Sequence, residues 1–155
     1  MLKVRIEVSK NSRLKYEYDK EKQCIVLDRI LHNSNCFPYN YGYILNTLSM
    51  DGDALDAILI CDEILIPGCI LDCRIIGGIY TDDENGRDDK IFVVPYNKID
   101  KNSKNFNDID DISKTILNNY IYFLNHYKDG EDKFINVGNV YDKKKALEIY
   151  ERSKL

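Results

Sequence analysis

Three aspartates within six residues form the densest group of potential metal ligands in the chain. They stand in Asp51-Gly-Asp-Ala-Leu-Asp56, where Gly52 permits a tight turn. Crowded carboxylates raise one another's pKa unless a cation lies among them, and aspartate oxygens are natural ligands for Mg²⁺. The segment alone fits either a hard-cation site or an acidic, solvated surface turn. It does not fit an EF-hand loop, because the position that must be glycine holds Asp56 when Asp51 is the first.

A second acidic cluster, Thr81-Asp-Asp-Glu-Asn-Gly-Arg-Asp-Asp-Lys90, lies between two apolar strand candidates. Its Asn85-Gly86 pair predicts a hairpin turn in which Asp83 faces Asp88. Facing like charges destabilise a hairpin, so this pair indicates either strain or half of a metal site. Lys90 shares a face with Asp88 because side chains alternate along a strand. A charged, exposed hairpin tip would explain the same segment.

Cationic and phenolic side chains are the third group of residues that could take part in chemistry. Lys15 alternates with Glu17 on the polar face of one strand candidate, Arg29 ends the next, and Tyr127-Lys128 ends a helix candidate. Each also fits a solvated face or a favourable helix end. Together, carboxylates for hard cations and cations for an oligoanion are the groups needed for metal-assisted phosphoryl transfer to water.

Two sequence periods predict the elements that position these groups. The segment 33–43, with Pro38 and Gly42, is predicted to be irregular, and Gly77-Gly78 predicts a bulge or sharp bend. Helical spacing from Ile112 to Tyr127 predicts one amphipathic helix, and Asp142 is predicted to cap a second over 143–152. Alternation with period two predicts strands at Lys3–Val8, Leu14–Tyr18 and Cys24–Arg29. Apolar runs are strand candidates at Ala57–Cys61, Ile70–Tyr80 and Lys90–Pro95, and a short strand is expected at Lys133–Val137.

Composition excludes several classes of protein. A chain of 155 residues predicts a single domain over 1–155, and its net charge of -4 argues against a nucleic-acid partner. The longest run without charged residues, Ile30–Met50, is too polar to span a membrane. An N-terminal stretch without an apolar core and five cysteines, an odd number, predict a cytoplasmic protein with reduced thiols.

The ordered motifs resemble those of the family I, or soluble, inorganic pyrophosphatases of the short bacterial type. The resemblance runs from about Glu7, which fits an early family Glu, to Lys133. The family's Asp-x-Asp-x-x-Asp signature stands as Asp51–Asp56. Ordered agreement across all these blocks is far more specific than any one of them. The other matching blocks are Lys15-Tyr-Glu17, Asp28-Arg29, Asn40-Tyr-Gly-Tyr43, Asp83-x4-Asp88-x-Lys90 and His126-Tyr-Lys-Asp129.

This resemblance implies a fold, an activity and a set of roles. The fold would be β-rich α+β: a five-stranded OB-like closed β-barrel with two peripheral α-helices toward the C-terminus, assembled as a homohexamer (a dimer of trimers). The activity would be Mg²⁺-dependent hydrolysis of inorganic diphosphate to two orthophosphates, with Mn²⁺ or Zn²⁺ as substitutes. Asp53 would act as general base toward a metal-activated water. Several Mg²⁺ ions would be held by Asp51, Asp56, Asp83, Asp88, Glu7 and Glu17. Substrate would be bound by Lys15, Arg29, Tyr41, Lys90, Tyr127 and Lys128.

Two other functions compete with this one. A barrel with a Tyr-rich face could hold single-stranded nucleic acid, but such surfaces combine aromatic groups with a basic groove, and the net charge has the wrong sign. A pyrophosphatase-like protein without activity is the second alternative. Every matched catalytic position is filled, which argues against it.

Overall fold

Nine β-strands and two α-helices follow one another along residues 1–155, all of which the computed structural model describes. The chain is therefore β-rich with two helices near its C-terminal end, as predicted. Two 3-10 helices, Lys101–Asn105 and Ile109–Asp111, precede the first α-helix. The strands are β1 (Leu2–Val8), β2 (Leu14–Asp19), β3 (Cys24–Ile30), β4 (Asn40–Ile44), β5 (Asp56–Leu59), β6 (Ile70–Asp83), β7 (Gly86–Arg87), β8 (Lys90–Pro95) and β9 (Ile135–Asp142). The helices are α1 (Lys114–His126) and α2 (Lys143–Ser153).

Strand pairing runs in a ring through five strands. Strand β1 pairs with β4, β4 with β5, β5 with β8, β8 with β6, and β6 again with β1. Only the β5–β8 pair is parallel. Strands β7 and β9 pair with β6, whereas β2 and β3 form a separate two-stranded sheet. This order places Asp56 of β5 opposite Tyr43 of β4 on one side and Lys90 of β8 on the other.

The core consists of two clusters of buried apolar side chains. One contains Tyr120, Phe123 and Leu124 of α1 together with Phe37 and Phe92. The other contains Ala146 and Ile149 of α2 with the apolar face of β1 and neighbouring strands. The apolar stripe of each helix therefore packs on the sheet, as helical spacing predicts. Neither helix is long and apolar enough to cross a bilayer.

Side-chain caps set the starts of both helices. The Asp142 carboxylate accepts a hydrogen bond of 3.0 Å from the Lys145 amide, so the predicted cap of α2 is confirmed. The Ser113 hydroxyl accepts one of 3.3 Å from the Ile116 amide. Because Ser113 is the cap, α1 begins at Lys114, two residues after the predicted start at Ile112.

Strand β4 corrects the prediction of an irregular segment. Asn40–Ile44 is a strand, and Gly42, interpreted from the sequence as a breaker, lies opposite Ile6 in the β1–β4 ladder. A Cβ at Gly42 would overlap the carbonyl group of Arg5. Glycine is present because the two backbones approach closely, which is its other use inside a strand.

Strand β9 also differs from its prediction. It covers Ile135–Asp142 rather than 133–137, and it pairs antiparallel with β6. Polar residues and Gly138 within it obscure the alternation that would have marked its full length. The irregularity predicted at Gly77-Gly78 is present, since the β6–β8 register shifts between Ile75 and Gly77.

Candidate active site

A single cavity of about 640 Å³ gathers every site residue predicted from the sequence. Its walls come from β1, the β2–β3 sheet, β4, the 51–56 loop, the β6–β7 tip, β8 and the end of α1. A wider surface depression along α2 contains none of the predicted residues. The predicted acids in the cavity are Glu7, Glu17, Asp51, Asp53, Asp56, Asp83 and Asp88, and the predicted cationic and phenolic groups are Lys15, Arg29, Tyr41, Lys90, Tyr127 and Lys128. Three further acids, Asp19, Glu21 and Glu84, also line it.

Lys90 lies at the buried centre of this cavity, with a side chain only 3% exposed. Its amino group donates to Asp56 Oδ2 at 3.0 Å, to Asp88 Oδ2 at 2.9 Å and to the Tyr41 hydroxyl at 2.9 Å. The parallel β5–β8 register brings Asp56 to Lys90, and alternation along the chain brings Asp88 to the same face. Three separate segments are thus held together by one ammonium group.

The pKa values of the two carboxyl groups beside Lys90 shift in opposite directions. Burial raises the pKa of Asp56 to about 7, although the Lys90 charge opposes the shift. Burial also opposes ionisation of Asp88, but Lys90 and the hydrogen bonds to that carboxylate outweigh it and lower its pKa. Two acids in contact with one cation therefore divide into a weaker and a stronger acid.

The turn 51–53 presents two aspartates in different ways. Gly52 adopts a φ of 89°, which permits the tight turn expected from the sequence. Asp51 Oδ1 accepts hydrogen bonds from the Ser49 hydroxyl at 2.6 Å and from the Asp53 amide at 3.0 Å. The Asp53 carboxylate is exposed and makes no hydrogen bond or ion pair with the protein. Its pKa is raised by partial burial and then by the neighbouring charge of Asp51.

The acidic hairpin tip differs in register from the prediction. Asp83 pairs with Gly86 and Asp82 with Arg87, so the turn lies at Glu84-Asn85 and Asp83 does not face Asp88. The Asp83 carboxylate accepts a hydrogen bond of 2.8 Å from the Asn85 amide, and Gly86 takes a φ of 109°. This side-chain turn at Asp83 moves the reversal one residue earlier than the Asn-Gly signal indicates.

Two glutamates lie on the β1–β2 side of the cavity. Glu7 accepts a hydrogen bond of 2.7 Å from the Tyr18 amide, and burial raises its pKa to about 7. Lys15 donates to Glu17 at 2.7 Å, which confirms that these two side chains share one face of β2.

The remaining phosphate-binding candidates are Arg29, which is the cross-strand partner of Lys15, and Tyr127 and Lys128 after α1. Arg29 contacts Asp28 at 2.7 Å and Glu131 at 2.8 Å, and Lys128 lies 3.8 Å from Asp83. Burial lowers the pKa of Lys128. Burial raises the pKa of Tyr127 to about 12, so its hydroxyl remains a hydrogen-bond donor at neutral pH.

Sequence reasoning missed two acids near these residues. Glu84 lines the cavity beside Asp83, and its membership in the same acidic cluster was a usable signal. Glu131 follows the Tyr127-Lys128 pair by three residues and reaches Arg29, about a hundred residues earlier in the chain. No local pattern marks a contact of that sequence separation.

The donor set fits hard divalent cations, because the seven predicted carboxylates and three further ones line one cavity. No three of them converge closely enough to hold one ion as they stand. Asp56 and Asp88 instead contact the Lys90 ammonium group, which occupies the space between two of the best-buried donors. Binding of a divalent ion would therefore require side-chain movement.

Comparisons with known proteins agree with this chemistry. The family model described as inorganic pyrophosphatase matches residues 4–154. The chain is 40% identical over 150 residues to an inorganic pyrophosphatase from Saccharolobus solfataricus, covering 94% of this chain and 87% of the relative. It is 38% identical over 149 residues to the Helicobacter pylori enzyme, covering 96% and 86%.

Solved structures of inorganic pyrophosphatases are also similar to this chain. An inorganic pyrophosphatase structure from Helicobacter pylori superposes with a TM-score of 0.95 at 38% identity, covering 97% of this chain and 89% of that one. The structure from Thermus thermophilus gives a TM-score of 0.94 at 33% identity, covering 97% and 87%.

Proposed function

The chain belongs to the inorganic pyrophosphatase family and is therefore an enzyme of that family; from this we propose that it hydrolyses inorganic diphosphate to two orthophosphates with the help of Mg²⁺. One observation carries the proposal: all seven predicted carboxylates and the side chains of Lys15, Arg29, Lys90 and Lys128 line a single cavity. Such a cavity suits an anionic substrate only when divalent cations compensate its excess of negative charge.

The carboxylates would hold the metal. Asp51, Asp56, Asp83 and Asp88 are proposed as Mg²⁺ ligands, with Glu7 and Glu17 completing the outer shell. When bound, Mg²⁺ lowers the pKa of water and neutralises phosphate charge. The other contributions to catalysis come from side chains of the chain itself.

The cations and phenols would bind the two phosphates. Lys15 and Arg29 lie side by side on the paired strands β2 and β3, and Tyr127 and Lys128 follow α1, so donors from separate segments line the space for the substrate. Lys90, buried among Asp56, Asp88 and Tyr41, would orient these groups and stabilise charge on the departing phosphate.

Asp53 would act as the general base. Its carboxylate has no hydrogen-bond or ion-pair partner, whereas the six acids proposed as metal ligands are each engaged by a donor. An accepting oxygen that is free and exposed to the cavity can take a proton from the attacking water.

The finer architecture is also part of the proposal. The ring of pairings through β1, β4, β5, β8 and β6 supports an OB-like closed barrel. Exposed apolar side chains, among them Met50 and Ile66, support assembly into a homohexamer, which light scattering would measure. Five unpaired cysteines support a cytoplasmic location.

Phosphate release from diphosphate tests the activity directly. We expect release with Mg²⁺, its loss in EDTA, and a large loss in Asp56→Asn, which removes a charged ligand but keeps the shape of the side chain. Mn²⁺ or Zn²⁺ added after EDTA should restore part of the rate. Activity that survives EDTA would exclude the metal mechanism, and a purified chain inactive with all three metals would exclude the function.

A further inference from the structure

One buried acid outside the proposed ligand and substrate sets contacts a proposed substrate-binding residue. Glu131 lies in the turn after α1, three residues beyond Lys128, and its side chain is only 6% exposed. Its Oε1 is 2.8 Å from Arg29 Nε, and its Oε2 is buried without a hydrogen-bond partner. An ionised carboxylate in such a place is stabilised by the cation beside it, and removing one partner leaves the other uncompensated.

The contact is mainly one of charge. Although the two atoms are 2.8 Å apart, the Arg29 Nε–H does not point at the carboxylate within hydrogen-bond angles. Asp28 contacts another nitrogen of the guanidinium, but its side chain is 38% exposed and its charge is better screened by water. Asp28 does accept a hydrogen bond of 2.7 Å from Arg29, so Glu131 is the more buried and less screened of two anionic restraints on Arg29.

The turn that carries Glu131 is itself anchored. The Asn33 side-chain amide donates to the carbonyl oxygens of His126, Tyr127 and Asp129, at 3.3, 3.2 and 3.0 Å. Gly130 adopts a φ of 90°, which lets the chain turn back toward Arg29. The end of β3 and the segment after it are thus joined to the turn after α1 by several contacts, among them those of the Asn33 amide and the Glu131 carboxylate.

We propose that Glu131 is a positioning residue that holds the Arg29 guanidinium at a fixed place relative to Lys128. It would act through Arg29 and would not touch the substrate. Arg29 and Lys128 belong to different segments, so their spacing depends on contacts between those segments. The inference rests on the proposed function, in which both cations bind phosphate.

Glu131→Gln tests the proposal, since it removes the charge while keeping the size of the side chain. Asp132→Asn is the matched control because it makes the same charge change at the next residue, which is exposed. We expect Glu131→Gln to lower kcat/KM for magnesium diphosphate about tenfold, mainly through KM, as for a weakened charge-assisted contact to substrate. Asp132→Asn should remain within about twofold of the wild type, as expected for a surface change.

A double-mutant cycle with Arg29→Gln separates positioning from a general structural effect. If Glu131 acts through Arg29, Glu131→Gln should cause no further loss once Arg29 is replaced. Equal losses in both backgrounds, or Glu131→Gln kinetics equal to those of Asp132→Asn, would overturn the proposal. If Glu131→Gln does not fold, Glu131→Asp replaces it in the double-mutant cycle, because it keeps the charge on a shorter side chain. The same outcomes then support or overturn the proposal. If the wild type and Asp132→Asn are active and Glu131→Gln has the same kcat/KM as the wild type, only this inference is rejected. If the wild type is inactive, the proposed function itself is rejected.

Discussion

Asp53 is the one acid among the seven predicted site acids whose carboxylate nothing in the protein binds. This single difference leads to a prediction for Asp53→Asn. The variant should bind Mg²⁺ and phosphate with nearly the affinity of the wild type, because Asp53 holds no other group in place. Its kcat should fall about 10²- to 10⁴-fold, the usual contribution of a general base.

Titration calorimetry for binding and phosphate release at neutral pH for kcat measure the two effects of Asp53→Asn. Asp62→Asn is a suitable control, because Asp62 is exposed and lies outside the cavity. Phosphate release near the wild-type rate in Asp53→Asn would remove Asp53 from the mechanism.

Individual site residues could be predicted from the sequence where they fall in short, ordered motifs. All the predicted residues line one cavity, although their individual roles stay predictions. The contact between Asp56 and Lys90 was out of reach, because it depends on a parallel register between two strands. Glu131 was missed for the same reason: its partner, Arg29, is distant in sequence.

Among the elements, local signals were reliable where one side chain decides the structure. Asp142 caps α2 as predicted because a carboxylate satisfies the first amides of a helix whatever lies around it. Gly42 and the β6–β7 tip show the opposite case. A glycine in the sequence can mark either a break in a strand or a close approach of two backbones, as at Gly42. At the β6–β7 tip, the hydrogen bond accepted by Asp83 sets the turn position instead of the Asn-Gly pair.

The β1–β4 contact yields a prediction for Gly42→Ala. The added methyl group would overlap the Arg5 carbonyl, which is backbone and cannot rotate away. The two strands must separate, so the free energy of unfolding should fall by about 2–3 kcal/mol, the range for overpacked cores. KM should also rise, because the neighbouring residue Tyr41 contacts Lys90.

Gly138→Ala provides the comparison for Gly42→Ala. Its Cβ would lie 2.6 Å from Tyr80 Cδ1 and 3.1 Å from Tyr80 Cβ, which are side-chain rather than backbone atoms, so the loss should be smaller than for Gly42→Ala. Urea unfolding of both variants measures the difference. Equal losses would show that the close approach of β1 and β4 is not what requires glycine at position 42.

On the scale of the whole molecule, the cavity concentrates negative charge, which destabilises the fold when no metal is bound. The sequence has a net charge of -4, and the seven acids named above lie in this one cavity. Ionising a buried carboxyl group is unfavourable, and at Glu7 burial therefore raises the pKa from 4.5 to about 7. A raised carboxyl pKa stabilises the fold below pH 4.5, and that contribution is lost as the pH rises through 7.

Glu7→Gln should therefore gain stability relative to the metal-free wild type as the pH rises. We expect the difference in unfolding free energy to change by about 3 kcal/mol between pH 4.5 and pH 8, in favour of the variant. Urea unfolding in EDTA at one protein concentration measures it. Glu148→Gln, at an exposed position, should show a constant difference from the wild type. A difference for Glu7→Gln that does not vary with pH would contradict the raised pKa.

The pairing of β6 with four other strands has a consequence for synthesis of the protein. Strand β6 pairs with β1 near one end of the chain and with β9, residues 135–142, near the other. The candidate site, from Glu7 to Lys128, is likewise drawn from most of the chain. Contacts of such long sequence separation form late and slowly. The nascent chain therefore cannot assemble its site until nearly all of it has left the ribosome, and fragments released early will be inactive.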